Sequence, residues 1–222
     1  MFDWLKPRHP DRTRTGDAFQ HLEPGRAYHV VHPFTDHDGI THPVGETWTF
    51  RGATLLPHED GLSLHVTTPA GAARQIRLQQ SPEAQGHIAD ALFEYVHPRP
   101  GRAGAWPLLV TRQSLALAED IDAPHAGVVD VEPDANAAAI ARTILASGYL
   151  PTGRLFGVTW SLRLGPDRIL FGHRHARRFV ETLGPAPLTA RARDVTELHV
   201  SYWAQADIPT IKARIAAQPG TS

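Results

Sequence analysis

Three glycine-closed turns punctuate the first half of the chain at short intervals: Asp38-Gly39, Asp60-Gly61 and Ala70-Gly71. Runs of alternating apolar and polar residues lie between them, a combination that points to short antiparallel strands. Trp48 and Phe50 share one face of their run, and Thr47 and Thr49 the other. Leu62, Leu64 and Val66 alternate with Ser63, His65 and Thr67, and within Gln75–Gln79 the apolar side is Ile76 and Leu78. Upstream, the Pro24-Gly25 turn introduces a further strand over Arg26–Pro33. Four or five strands at this spacing predict a small, strongly bent sheet of the SH3-like barrel type. Ser81-Pro82-Glu83 then has the chemistry of a helix start, with a capping hydroxyl, a proline at the first position and an early acid. Ala84, Ile88, Ala91, Leu92, Tyr95 and Val96 follow at helical spacing, and Pro98 and Pro100 end the segment.

The series Pro24-Gly25, Tyr28, Phe34, Asp36, Asp38-Gly39, His42, Gly45-Glu46, Trp48, Phe50, Asp60-Gly61-Leu62-Ser63-Leu64 and Ile76-Arg77-Leu78-Gln79 resembles an uncharacterised bacterial domain family of unknown function. The resemblance spans about residues 20–97 and implies no established activity. At His58-Glu59-Asp60-Gly61 the chain departs from the pattern, which has a tyrosine and a second aspartate there.

Pro98-Arg99-Pro100-Gly101-Arg102-Ala103-Gly104 has proline, glycine and charge but no periodicity, and reads as a linker. Beyond it, strands are expected at Trp106–Thr111, Leu115–Ala118 and Val128–Val131, then a helix opened by Pro133-Asp134 and closed by Gly148. Val158–Leu164 and Arg168–Phe171 flank the turn Gly165-Pro166-Asp167. A short helix is expected over His175–Leu183, a strand over Leu198–Trp203 and a terminal helix over Pro209–Gln218. The expected organisation is therefore α+β throughout: a tail (1–19), an SH3-like small β-barrel with one C-terminal helix (20–97), a linker (98–104) and a second α+β domain (105–222).

Composition narrows the function. Hydrophobic residues make up 41% and charged residues 20%, as in globular chains and unlike disordered ones. The formal net charge of -1 supplies no global field for nucleic acid or an anionic membrane. The absence of cysteine excludes disulfides, thiolate metal sites and cysteine nucleophiles. Arginine far outnumbers lysine, alanine and proline are abundant, and there is no long apolar run; these features point to a GC-rich bacterial genome and a cytoplasmic protein.

Three residue groups could carry chemistry. The first is His29, His32, Asp36, His37, Asp38, His42 and Glu46, whose imidazoles and carboxylates suit a metal if the hairpin brings its arms together. The spacing matches no metal motif, and turn chemistry accounts for Asp36 and Asp38-Gly39. The second is a pair of tripeptides, His65-Val66-Thr67 and His199-Val200-Ser201, each placing imidazole and hydroxyl on one side of a strand. Facing each other, two such strands would resemble two-histidine phosphoesterases, with His65, Thr67, His199 and Ser201 catalytic. With 14 histidines and 25 serines and threonines, chance alone supplies roughly two such tripeptides. The third is His173-Arg174-His175 after an apolar strand, either as metal ligands or, with Arg163, Arg168, Arg177 and Arg178, as a local basic patch.

No nucleophile elbow, phosphate loop or dinucleotide fingerprint occurs. The expectation is a non-enzymatic interaction protein, adaptor- or immunity-like. Its partner would be another protein, met through the turns that hold Asp36, Asp38, His42, Glu46, His58 and Asp60. No cofactor, metal or membrane is expected, and nucleic acid is disfavoured. The alternatives are a metal-dependent or two-histidine hydrolase, with His29, His32, Asp36, His42, Glu46, His173 and His175 as candidate ligands, and nucleic-acid binding through the arginine patch. Asp36, His42 and Glu46 are the residues whose identity the strand pattern explains least.

Overall fold

The computed structural model describes residues 18–56, 61–101, 104–113, 125–151, 157–174, 177–184, 187–203 and 206–217. The fold is mixed α+β, and the chain divides into two compact units that meet between His97 and Pro98. No helix among the described residues is long and apolar enough to cross a membrane.

The first unit holds strands β1 (Ala27–Val30), β2 (Phe34–Thr35), β3 (Thr41–His42), β4 (Thr47–Leu56), β5 (Gly61–Thr67), β6 (Ala73–Gln79) and β7 (Val96–Pro98), with helix α1 (Gly86–Asp90) before β7. Five strands form a sheet in the order β6-β5-β4-β1-β7, and β2 pairs with β3 in a separate hairpin. The alternating residues face the core as the pattern demands. Trp48, Phe50, Leu62, Leu64, Val66, Ile76 and Leu78 are all buried, together with Leu22, Tyr28 and Val30. Each fully buried aliphatic or aromatic side chain contributes about 1.5–3 kcal/mol of transfer free energy. A bulge between Phe50 and Gly52 lets the long strand β4 keep both neighbours while its register against β5 shifts.

Two expectations for this unit change. No closed barrel is found among the described residues: the sheet order runs from β6 to β7, and closure would need a ladder joining those two end strands. The helix expected from Ser81 to Val96 is much shorter. The Ser81 carbonyl accepts the Gly86 N–H (3.0 Å) and the Gln85 side chain accepts the Gln79 N–H (2.9 Å). These turn bonds delay α1 to Gly86, a 3-10 turn over Leu92–Glu94 follows, and Val96 joins a strand.

The second unit has strands β8 (Trp106–Arg112), β9 (Ala126–Val131), β10 (Val158–Leu164), β11 (Asp167–Arg174), β12 (Arg177–Leu183) and β13 (Glu197–Tyr202), with helices α2 (Ala137–Ser147) and α3 (Ile208–Ala217). The sheet order is β12-β11-β10-β13-β8-β9, with β13 parallel to β8 and the other recorded pairs antiparallel. Ile140, Ala141, Ile144 and Leu145 of α2 pack on Leu108, Val110, Trp160, Leu162, Phe171 and Val200. Leu170, which points to the opposite face, meets Ile211 and Ile215 of α3. The unit is thus a sheet with a helix on either side.

The helix expected over His175–Leu183 is a strand instead. Phe179, Val180 and Thr182 suit a pleated surface, and β12 pairs with β11 along its whole length. His175 and the expected strand at Leu115–Ala118 lie outside the described residues.

Candidate functional site

The β2–β3 hairpin is built around Asp36. Its N–H donates to the Ile40 carbonyl (3.0 Å), while its Oδ1 accepts the Ile40 N–H (2.9 Å). Gly39, at φ +77°, makes the turn that this closure needs, a conformation that costs a residue with a side chain. A second turn over Pro43–Glu46 brings the chain back to β1, where Gly45 donates to the Val30 carbonyl and Val30 to that of Glu46. These two turns set three side chains in a row.

His42 lies between Asp36 and Glu46. Its Nε2 is 3.3 Å from Asp36 Oδ2 and its Nδ1 is 3.0 Å from Glu46 Oε2. Arg74 of β6 extends the row, donating to Glu46 Oε1 at 3.0 Å. Phe34, opposite His42 across the hairpin, stacks on the imidazole at 4.6 Å between ring centres. Both the Asp36 and His42 side chains are 0% exposed. An ionised carboxylate only accepts hydrogen bonds, and a neutral imidazole donates from one nitrogen. A carboxylate oxygen thus stands at each ring nitrogen, and at least one of the two contacts is an N–H donated by the imidazole.

The hairpin is also fastened at its tip. His37 N–H donates to the Arg77 carbonyl at 2.7 Å, and the Arg77 guanidinium forks onto Asp38, which it holds below the ordinary carboxylate range. Arg74 was the part of this arrangement that residue spacing could have disclosed. It sits in the core-facing row with Ile76 and Leu78, where a cation requires an anionic partner.

Asp36, Asp38, His42 and Glu46 therefore come together, joined by Arg74 and Arg77. His29 and His32 do not join them. The His29 ring lies edge-on to His97, with centroids 6.3 Å apart, and His32 Nδ1 donates to the Glu94 carbonyl at 2.6 Å. Among the described residues no three histidines, aspartates or glutamates are placed to hold a metal ion. His58 and Asp60 lie outside the described residues. His173 is half-buried on β11, and burial and then Arg178 push its pKa down.

The two H-x-[ST] tripeptides fall in different units. His65 Nε2 lies 2.9 Å from Thr54 Oγ1, and Thr67 accepts from Arg51. In the second unit, His199 Nδ1 is 3.0 Å from Thr111 Oγ1, and Ser201 pairs across the ladder with Ser161.

A group that the residue pattern did not single out sits where the first unit's ends meet. His21, 1% exposed, donates from Nε2 to the Val96 carbonyl (2.7 Å), while its Nδ1 has no hydrogen-bond partner among the described residues. Burial pushes its pKa down to about 4, against the Val96 hydrogen bond and with help from His97. His97 is likewise pushed down to about 4, first by burial and then by His29.

No curated protein matches the chain. A solved structure of an integron cassette protein from the mobile metagenome of Vibrio cholerae is 35% identical over 40% of this chain and 98% of its own, with a TM-score of 0.38. A family model described as Domain of unknown function (DUF3601) matches residues 14–98, the segment that carries the Asp36-His42-Glu46 row. The N-terminal part of this chain, residues 14–98, belongs to that family.

Proposed function

We propose that the first unit is a protein-recognition module that presents the β2–β3 hairpin to a partner, in an adaptor- or immunity-like protein without catalysis of its own. One observation carries the reading. Ile40 is 45% exposed and Val44 62% exposed, and both are held on turns whose base is fixed by the buried Asp36-His42-Glu46 row. A rigid loop with apolar tips loses little entropy on binding, which is what a recognition surface needs. The row itself has both imidazole nitrogens engaged and the side chains of Asp36 and His42 fully buried, so it suits holding a shape better than meeting a substrate.

The test is site-specific photocrosslinking in cells, with a benzophenone amino acid at position 44 and, as control, at exposed Gln75 on β6. A discrete adduct with another polypeptide from position 44, absent from position 75 and lost on Ile40→Asp, is the expected result. No adduct, or the same adducts from both positions, would refute the reading.

A further inference from the structure

The second unit carries a feature that hairpin recognition by the first does not use. At the end of the β11–β12 ribbon where the chain passes from one strand to the other, Arg174 lies directly opposite Arg177, and His173 directly opposite Arg178. Directly opposed like charges destabilise a sheet, so such pairs call for a compensating partner. Elsewhere Arg26, Arg74, Arg77, Arg193 and Lys212 each meet a carboxylate. Among the described residues no carboxylate pairs with Arg174, Arg177 or Arg178, all three of which are exposed.

The wider arginine group sorts into used and unused members. Arg168 donates to the Ile215 carbonyl of α3 and Arg163 to that of Gly165, so both serve the fold. Arg174 lies over the Phe179 ring, with its guanidinium carbon 5.5 Å from the ring centre. Charge is also divided between the units: residues 98–222 hold 14 lysines and arginines against 11 acids, residues 1–97 hold 8 against 12. The near-neutral total conceals a basic second unit.

We propose that the end of the β11–β12 ribbon binds the phosphate backbone of double-stranded DNA. The cations occupy both faces of the ribbon, Arg174 and Arg177 on one and Arg178 on the other. A flat membrane or a single protein surface would meet one face only. The major groove of DNA, about 12 Å wide, admits a two-stranded ribbon and has a phosphate wall on either side. The cations are also arginines, whose planar fork matches phosphate oxygens.

The test is fluorescence anisotropy of a labelled 20-bp duplex with the full chain, titrated between 50 and 200 mM salt. Three arginine–phosphate contacts give a log–log salt slope near -2.7, or a loss of affinity of roughly 40-fold across that range. Arg174→Gln/Arg177→Gln/Arg178→Gln should remove most of that slope and weaken binding at 50 mM at least tenfold. The control Arg142→Gln/Arg214→Gln, on the exposed faces of α2 and α3, should leave binding within about twofold. Absent binding by the native chain at 50 mM would overturn the proposal. So would equal loss in both variants, an unchanged slope in the triple variant, or displacement of the duplex by polyglutamate or phosphatidylserine vesicles at equal charge concentration.

Discussion

Acidification should weaken the first unit through His21. The folded chain keeps this imidazole neutral down to about pH 4, because it is buried with Nδ1 unsatisfied, while the unfolded chain takes up the proton near the ordinary value of 6.5. Between those values the unfolded state binds more protons than the folded state, so stability falls as pH falls. Above 6.5 neither state is protonated and nothing is lost; below 4 both are, and the loss is complete. A window about 2.5 pH units wide, at about 1.4 kcal/mol per unit, makes the total loss about 3 kcal/mol. That is a large share of the 5–15 kcal/mol typical of a folded domain. His97, pushed down to the same region by burial and by its histidine neighbours, adds to the loss in the same direction. Urea unfolding followed by tryptophan fluorescence at pH 7.5, 6.0, 5.0 and 4.5 measures the effect. His21→Gln keeps a donor for the Val96 carbonyl and removes the titration, so its unfolding free energy should fall less steeply with pH. If the native protein were as stable at pH 4.5 as at 7.5, or if His21→Gln kept the whole slope, the burial argument would fail.

Other substitutions test other parts of the fold. His42→Ala strands the Asp36 carboxylate inside the protein and should cost about 3–5 kcal/mol by chemical denaturation; a loss below about 1 kcal/mol would contradict the buried row. Gly172→Ala places a Cβ 2.0 Å from the Val158 carbonyl oxygen at φ +154°, so β11 must move off β10, and a loss of about 3 kcal/mol or more is expected in thermal unfolding. Asn136 accepts the Ala139 N–H (3.0 Å) as the α2 cap, and Asn136→Ala should cost about 1 kcal/mol, against only a few tenths for Asn136→Gly.

Local chemistry was the legible part of this chain. Alternation placed Trp48, Phe50, Leu62, Leu64, Val66, Ile76 and Leu78 in the core because a strand's side-chain period does not depend on its partners. Turn residues located Asp38-Gly39 and Gly165-Pro166 for the same reason. Partnership decided the rest. Arg177–Leu183 has helix-compatible spacing but becomes the last strand of the second sheet because β11 offers it a full ladder. His29, His32, Asp36 and His42 are equivalent on paper. They separate in space because β1 and the β2–β3 hairpin belong to different sheets. His21 and His97 are 76 positions apart in the chain, so no window along it would join them. The arginine cluster was visible as composition, but its significance lies in the cross-strand register, which opposes Arg174 to Arg177, with no carboxylate paired to either among the described residues.

The Asp36-His42-Glu46 row makes a sharper prediction than the loss of any one member, since it rests on counting donors. In Asp36→Asn, Oδ1 still accepts the Ile40 N–H, and the new amide N–H faces His42 Nε2. A neutral imidazole accommodates this by accepting at Nε2 and donating from Nδ1 to Glu46. Glu46→Gln is the mirror case: Oε1 stays with Arg74, the amide N–H faces Nδ1, and the ring donates from Nε2 to Asp36. Each single change should therefore be mild, about 1 kcal/mol. The double variant is different. Two amide donors face a ring that still carries at least one N–H, so one donor meets another inside the protein, or an amide must turn and abandon Ile40 or Arg74. The double should lose about 1–3 kcal/mol more than the singles combined, read as the coupling energy of a double-mutant cycle in urea. Additive behaviour would mean that the imidazole does not bridge the two carboxylates, and the rigid base of the hairpin would go with it.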